Sequence, residues 1–157
     1  MADKEQMYEA VPAYEQERAS RGLLAWLNGY TGFPPGVRAI TFEYLDDDKP
    51  SMALSTIQGA YIIKRYMGGD YMVGYQFKLI YRAQPTTDGG RLEMDEALDA
   101  LGDWAARRRD RPDIGEGKRM QRIAVNARAS LFGRYENGDE DHQILMTMTY
   151  YSERSKT

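Results

Sequence analysis

The sequence predicts an α+β domain in which a mainly antiparallel sheet of about six strands packs against two helices. Three observations carry that prediction. Apolar residues recur at three-to-four spacing near the start of the chain and again between Met94 and Ala105. Between these two stretches the period changes to two, as in strands with one buried face. After the second helical stretch, two long apolar-alternating segments flank a polar turn, the pattern of a hairpin.

Taken in order, the first thirty residues read as helical, with Met7, Tyr8, Val11, Leu23, Trp26, Leu27 and Tyr30 near one face. Pro12 either kinks or starts this helix, because it has no N–H to donate, and Asn28-Gly29 supplies a stop. Residues 32–36 form a turn by composition. A strand follows at 39–44, where Ile40, Phe42 and Tyr44 alternate with Ala39, Thr41 and Glu43. Asp46-Asp47-Asp48-Lys49-Pro50 ends it. Further strands are expected at 51–58 and 60–67, and Gly68-Gly69-Asp70 turns the chain into another. In that strand Tyr71, Val73, Tyr75, Phe77, Leu79 and Tyr81 share one face, opposite Gln76, Lys78 and Arg82.

A loop at 84–90 leads to a helix at 91–109. Its apolar stripe is Met94, Ala97, Leu98, Leu101, Trp104 and Ala105, with Glu93, Asp95, Glu96 and Asp99 facing away. Acidic residues at its start and Arg107-Arg108-Arg109 at its end suit the helix dipole. Strands at 120–135 and 143–151, joined by Glu136-Asn137-Gly138-Asp139-Glu140, complete a single domain spanning residues 1–157.

Composition narrows the function classes. A chain of 157 residues can bury one proper core. Its net charge of −3 lacks the basic excess of a dedicated nucleic-acid binder. With no cysteine, disulfides, thiolate chemistry and cysteine-based metal sites are excluded, and an intracellular origin is the simpler reading. The polar first six residues do not match a signal peptide, and no apolar stretch has the length of a membrane span. Twelve tyrosines and nine methionines stand beside four phenylalanines and two tryptophans. Tyrosine and methionine suit interfaces, although the tyrosines here fall mostly within expected strands.

No catalytic or cofactor pattern is complete. Gly115-Glu116-Gly117-Lys118 fails as a phosphate loop, because Pro112 stands where the first glycine belongs and Arg119 where Ser or Thr would bind the metal. The acidic runs at 46–48 and 136–141 lack calcium-loop spacing and read as solvated turns, with contact to a basic neighbour as the alternative. His142 is the one histidine, and any histidine-dependent nucleophile would depend on it. At the mouth of an acidic turn it reads as a solvated or hydrogen-bonded structural residue. The densest positive charge is Arg107, Arg108, Arg109 and Arg111, with Lys118, Arg119 and Arg122 beyond. It reads as helix capping plus a solvated loop, or as a patch facing phosphate or an acidic protein surface. The candidate assembly contacts are therefore Arg107, Arg108, Arg109, Arg111, Glu136, Asp139, Glu140 and Asp141. No catalytic, cofactor or metal residue is expected.

Several segments, in order, resemble the phage tail-terminator family, also called minor capsid or minor structural proteins. They are Met7-Tyr8-Glu9-Ala10-Val11, Ala25-Trp26-Leu27, Ile63-Lys64-Arg65-Tyr66, Tyr81-Arg82, the helix holding Trp104, Gly115-Glu116-Gly117-Lys118 and Gln121-Arg122-Ile123. Leu131-Phe132, the acidic turn, His142-Gln143-Ile144 and Tyr150-Tyr151 complete the set. Some members carry a chloramphenicol-resistance label. That chemistry needs an Asp shortly after its histidine, and His142 is followed by Gln143-Ile144-Leu145-Met146.

The resemblance implies a tail-terminator-like fold whose copies close into a ring, usually a hexamer. The ring caps the head-proximal end of the tail tube, ends its polymerisation and joins the head. The implied partners are the chain itself, the tail tube protein and head-completion or connector proteins. Genomic DNA would pass through the lumen without sequence reading, and no membrane is involved. The implied location is the virion tail or neck, with the host cytoplasm during assembly. A head-closure or head–tail adaptor protein is the alternative, and a non-viral ligand-binding domain a more distant one.

Overall fold

Pro12 sets the point at which the chain first becomes helical. The computed structural model of the chain describes residues 8–45, 47 and 49–154. Helix α1 (Ala13–Leu27) begins directly after Pro12, whose carbonyl accepts from the N–H groups of Glu15 and Gln16. The expectation of one helix through the first thirty residues is corrected here. Tyr8 and Val11 precede the helix and flank a short strand, β1 (Glu9–Ala10). Met7 lies outside the described residues. The buried face of α1 is Ala19, Leu23, Trp26 and Leu27. Asn28 ends it and does more than stop it: its side chain donates to the carbonyls of Leu24 and Ile40 and accepts from the N–H of Ile40 at 2.7 Å. That clamp fixes the start of β2 (Ile40–Phe42), which pairs in parallel with β3 (Ser51–Arg65).

The two strands expected at 51–58 and 60–67 are one strand, β3. Gln58 and Gly59 adopt φ of 61° and 71°, and pairing with the next strand breaks between Thr56 and Ala60. The chain bulges there and continues in the same sheet. Gln16 of α1 accepts the N–H of Ala60 at 2.9 Å, so a helix side chain satisfies an edge donor. Gly69, at φ 100°, turns the chain into β4 (Tyr71–Ala83). Helix α2 (Asp88–Arg107) starts earlier than the sequence suggests, because Thr87 caps it, its hydroxyl accepting from Gly90 N–H at 3.0 Å. Strands β5 (Lys118–Arg134) and β6 (Glu140–Ser152) close the fold.

The sheet order is β1-β3-β4-β6-β5, with β2 beside β3, and β2 is its one parallel member. The architecture is thus α+β, with six strands and two helices among the described residues. Both helices cover one face. Leu23, Leu27, Leu98 and Leu101 meet Tyr75, Phe77, Leu79, Ile144, Met146, Met148 and Tyr150, all nearly or fully buried. The alternation read in β4 is present: Val73, Tyr75, Phe77, Leu79 and Tyr81 are buried on the helix side. Among the described residues the opposite face carries no helix.

Strand β5 is an edge. Its pairing with β6 slips four times, between Met120 and Arg122, Val125 and Ala127, Ala127 and Ser130, and Leu131 and Gly133. Asp99 of α2 takes the N–H of Ala129 at 3.0 Å, removing a donor from the ladder. Asp99 therefore turns toward the sheet, as does Asp95, which lies 2.6 Å from His142 Nδ1; the helical pattern had both facing away. None of the described helices is long and apolar enough to cross a membrane.

Candidate functional site

Strand β6 begins in charge, and its alternation sends successive side chains to opposite faces of the sheet. Asp139, Glu140, Asp141 and His142 are only 1% to 4% exposed. On the helix side, Glu140 accepts from Arg91 Nε at 2.7 Å, from Arg134 Nε at 3.4 Å and from His142 Nε2 at 3.1 Å. His142 Nδ1 lies 2.6 Å from Asp95 Oδ1. On the open side, Asp141 receives both nitrogens of the Arg82 fork, at 2.6 and 2.7 Å, and the hydroxyl of Tyr135 at 2.9 Å. Asp139 pairs with Lys49 at 2.8 Å and accepts from Asn137.

The solvated-turn expectation is corrected for these residues. Asp139, Glu140 and Asp141 spend their carboxylates inside the chain, and Glu136 is the acidic residue of the turn that stays exposed. Candidate assembly contact therefore passes from the three buried acids to Glu136. Nor is the turn a cation cradle, since each buried carboxylate already has a cationic side chain. Among the described residues no three-membered group of acidic or histidine side chains is arranged for a metal. In the other acidic run, Asp46 and Asp48 lie outside the described residues. His142 is held between two carboxylates, so neither ring nitrogen is free to take a substrate proton.

Burial alone would raise the Glu140 carboxyl, but the hydrogen bonds from His142 and Arg91 and the charges of Arg91 and Arg134 outweigh it and hold it below the usual range. Asp139 is depressed in the same way, burial being outweighed by Lys49 and Asn137. A carboxyl depressed in the folded state stabilises the fold fully above its unfolded value, about 4. That contribution is lost as the pH falls through the folded value. Stability should therefore decline below about pH 4, and Glu140→Gln should flatten this acid limb. Urea midpoints measured through the acid range test it; parallel limbs for the two proteins would count against the assignment.

The basic stretch also divides. Arg108 folds inward: its guanidinium lies 4.5 Å from the ring centres of both Trp26 and Trp104, donates to the Trp26 carbonyl at 2.6 Å and pairs with Asp110. It clamps the ends of α1 and α2 together and is corrected from surface contact to structural clamp. Arg107, Arg109 and Arg111 remain exposed.

Sequence reasoning missed two features. One is a buried carboxylate in the first turn of α1. Glu15 accepts from the hydroxyls of Tyr71 and Tyr150, the latter at 2.7 Å, with Lys118 at 3.9 Å. Burial, then Glu15, pushes the Tyr71 hydroxyl up to about 12 and raises Tyr150 as well. A glutamate in a first helical turn looks like a dipole or capping residue, so nothing local signalled its burial. The other is a groove of about 690 Å³ beside α1, lined by Val11, Ala13, Leu24 and Phe42 with Glu17 and Arg21 at its polar margin. A projecting counterpart lies elsewhere: at the β3–β4 tip Met67 is fully exposed, with Ile63 and Tyr66 partly so.

No protein-family model matches the chain, and no curated protein sequence matches it.

Proposed function

We propose that the chain is a phage tail terminator, whose copies form a ring, a hexamer by the family resemblance, on the head-proximal end of the tail tube. The ring ends tube polymerisation and offers the surface to which head-completion or connector proteins join. On this reading the protein resides in the tail or neck of the virion and acts by assembly rather than catalysis.

The observation that carries the reading is the pair of apolar surfaces on different parts of the chain. The hairpin tip at Met67 projects, and the groove beside α1 is concave. Neither surface complements itself, so joining them is heterologous, and heterologous contacts form a ring when the rotation between neighbours closes and a filament when it does not. Lys64 beside the tip and Glu17 at the groove margin carry opposite charges.

Native mass spectrometry and electron microscopy of the purified chain test this. The expected result is rings that bind the ends of tail tubes. Met67→Asp, a change at a fully exposed position, should leave the fold intact and release monomers. Burying a methionine is worth about 2 kcal/mol, so each contact should weaken roughly 30-fold. A chain that stays monomeric and ignores tube ends removes the proposal.

A further inference from the structure

Of the chain's nine methionines, seven fall within the described residues, and the fold sorts them sharply. Met52, Met94, Met120, Met146 and Met148 are in the core, at most 5% exposed, and Met72 is half-buried. Among the seven, only Met67 is fully exposed. It stands at the apex of a turn that holds its shape without it. The N–H of Tyr66 donates to the Asp70 carbonyl at 2.9 Å, and that of Gly69 to the Tyr66 carbonyl at 3.1 Å. Gly69 takes the left-handed φ of 100° that this turn requires. Below the apex the Tyr66 ring leans on Tyr151, with ring centres 5.9 Å apart. The Asp70 carboxylate accepts the Tyr151 hydroxyl and, at 2.6 Å, the Arg154 N–H. The turn thus presents a thioether to solvent, and none of these bonds passes through that side chain.

We propose that Met67 is a site of reversible oxidation by peroxide, and that this oxidation controls self-association. The inference rests on the ring reading and names a regulation of the same hairpin tip. In the step, the Met67 sulfur gives a lone pair to one oxygen of hydrogen peroxide, and the O–O bond breaks. The departing hydroxide takes the proton of the transferred hydroxyl and leaves as water; the sulfur, oxidised by two electrons, becomes a sulfoxide. Access decides the rate, and the five core methionines are closed to the oxidant while the fold is intact. The sulfoxide is polar where the thioether was apolar. The groove beside α1 meets it with the side chains of Val11, Ala13, Leu24 and Phe42, none of which can donate a hydrogen bond. Of its polar groups, the Ser20 hydroxyl is already shared with Tyr75 at 2.6 Å, and Gln16 accepts the Ala60 N–H. Glu17 and Arg21 lie at the margin and face each other at 3.7 Å. An acceptor buried without a donor opposes association, so oxidation releases the tip. The switch acts on the free subunit, because a tip seated in a neighbour's groove is closed to peroxide.

The test treats the full chain with hydrogen peroxide, locates added oxygen by peptide mass mapping and follows assembly by native mass spectrometry. Oxygen should appear at Met67 before Met72 and the five core methionines, and assemblies should fall to monomers as it does. Each contact should weaken at least about tenfold, with the melting temperature of the subunit unchanged. Methionine sulfoxide reductases acting on both epimers should restore the assemblies. Met67→Leu keeps an apolar side chain of similar size without the sulfur, and should assemble and stay assembled in peroxide. Met67→Gln should dissociate without any oxidant. Assemblies that persist with Met67 as the sulfoxide overturn the inference. So do Met67→Leu assemblies that peroxide disperses as readily as the parent's, since another methionine would then be responsible. A chain that never associates removes the ring reading and this inference together, whereas a ring indifferent to Met67 sulfoxide removes the inference alone.

Discussion

Replacing Glu140 with alanine is expected to lower folding stability by about 3 kcal/mol. The carboxylate is almost fully buried and is the acceptor shared by Arg91, Arg134 and His142. Removing it takes away the partner of His142 Nε2 and leaves Arg91, a third exposed, with Asp88 as its remaining carboxylate. A buried ion pair adds little over a well-packed apolar substitute, but breaking one side of it leaves the other charge unpaid for. Glu140→Gln keeps the shape and an acceptor oxygen while losing the charge, and should cost about half as much. Urea unfolding of the three proteins at neutral pH measures this. A loss below about 1 kcal/mol for the alanine variant would mean that water already shares the cluster.

Gly22→Ala is the second large effect, again about 3 kcal/mol. Two terms oppose each other. Alanine favours a helix interior by about 1 kcal/mol over glycine. Against this, a Cβ at Gly22 would lie 1.9 Å from the carbonyl oxygen of Asp113, 2.8 Å from its carbon and 3.1 Å from Ile114 Cα. All three are backbone atoms, so no rotamer change relieves the overlap. The loop cannot retreat easily, because Ile114 is buried and Arg18 holds both the carbonyl and the carboxylate of Asp113. The clash should win, with a fall in melting temperature of about 9 °C. Gly89→Ala in the first turn of α2 is the control, since its nearest neighbour atom is 3.8 Å away and only the propensity term applies. A Gly22 variant that melted at or above the parent temperature would show that α1 and the 113–115 loop do not touch so closely.

Much of the fold could be read from residue periodicity. The β4 alternation and the α2 stripe are both present, because each runs long enough for one buried face to impose its period. Strand β1 escaped notice because two residues have no period, and its neighbour Val11 matched a helical spacing by chance. The β3 bulge was read as a break, since a left-handed Gln58 carries no signature of its own and Gly59 resembles a turn. The charge cluster was legible in composition but not in burial. Nothing near residue 140 reveals that Arg91 and Asp95 come from α2, Arg82 from β4 and Lys49 from a loop before β3. A polar turn is solvated until distant partners reach it, and those partners are set by topology. The inward turn of Arg108 was hidden for the same reason, because Trp26 and Trp104 are brought to it by the packing of two helices.

The four slips along β5 have a consequence for how copies of this chain can accumulate. A straight, unpaired strand edge is a template on which identical chains stack without limit, the route to fibrils. Here the edge is kinked at four places and one of its N–H groups is capped by Asp99. Backbone templating is thereby discouraged, and association is left to side-chain surfaces of definite shape and charge. Such surfaces fix which neighbour a copy takes and at what angle, and that angle decides whether growth closes or continues.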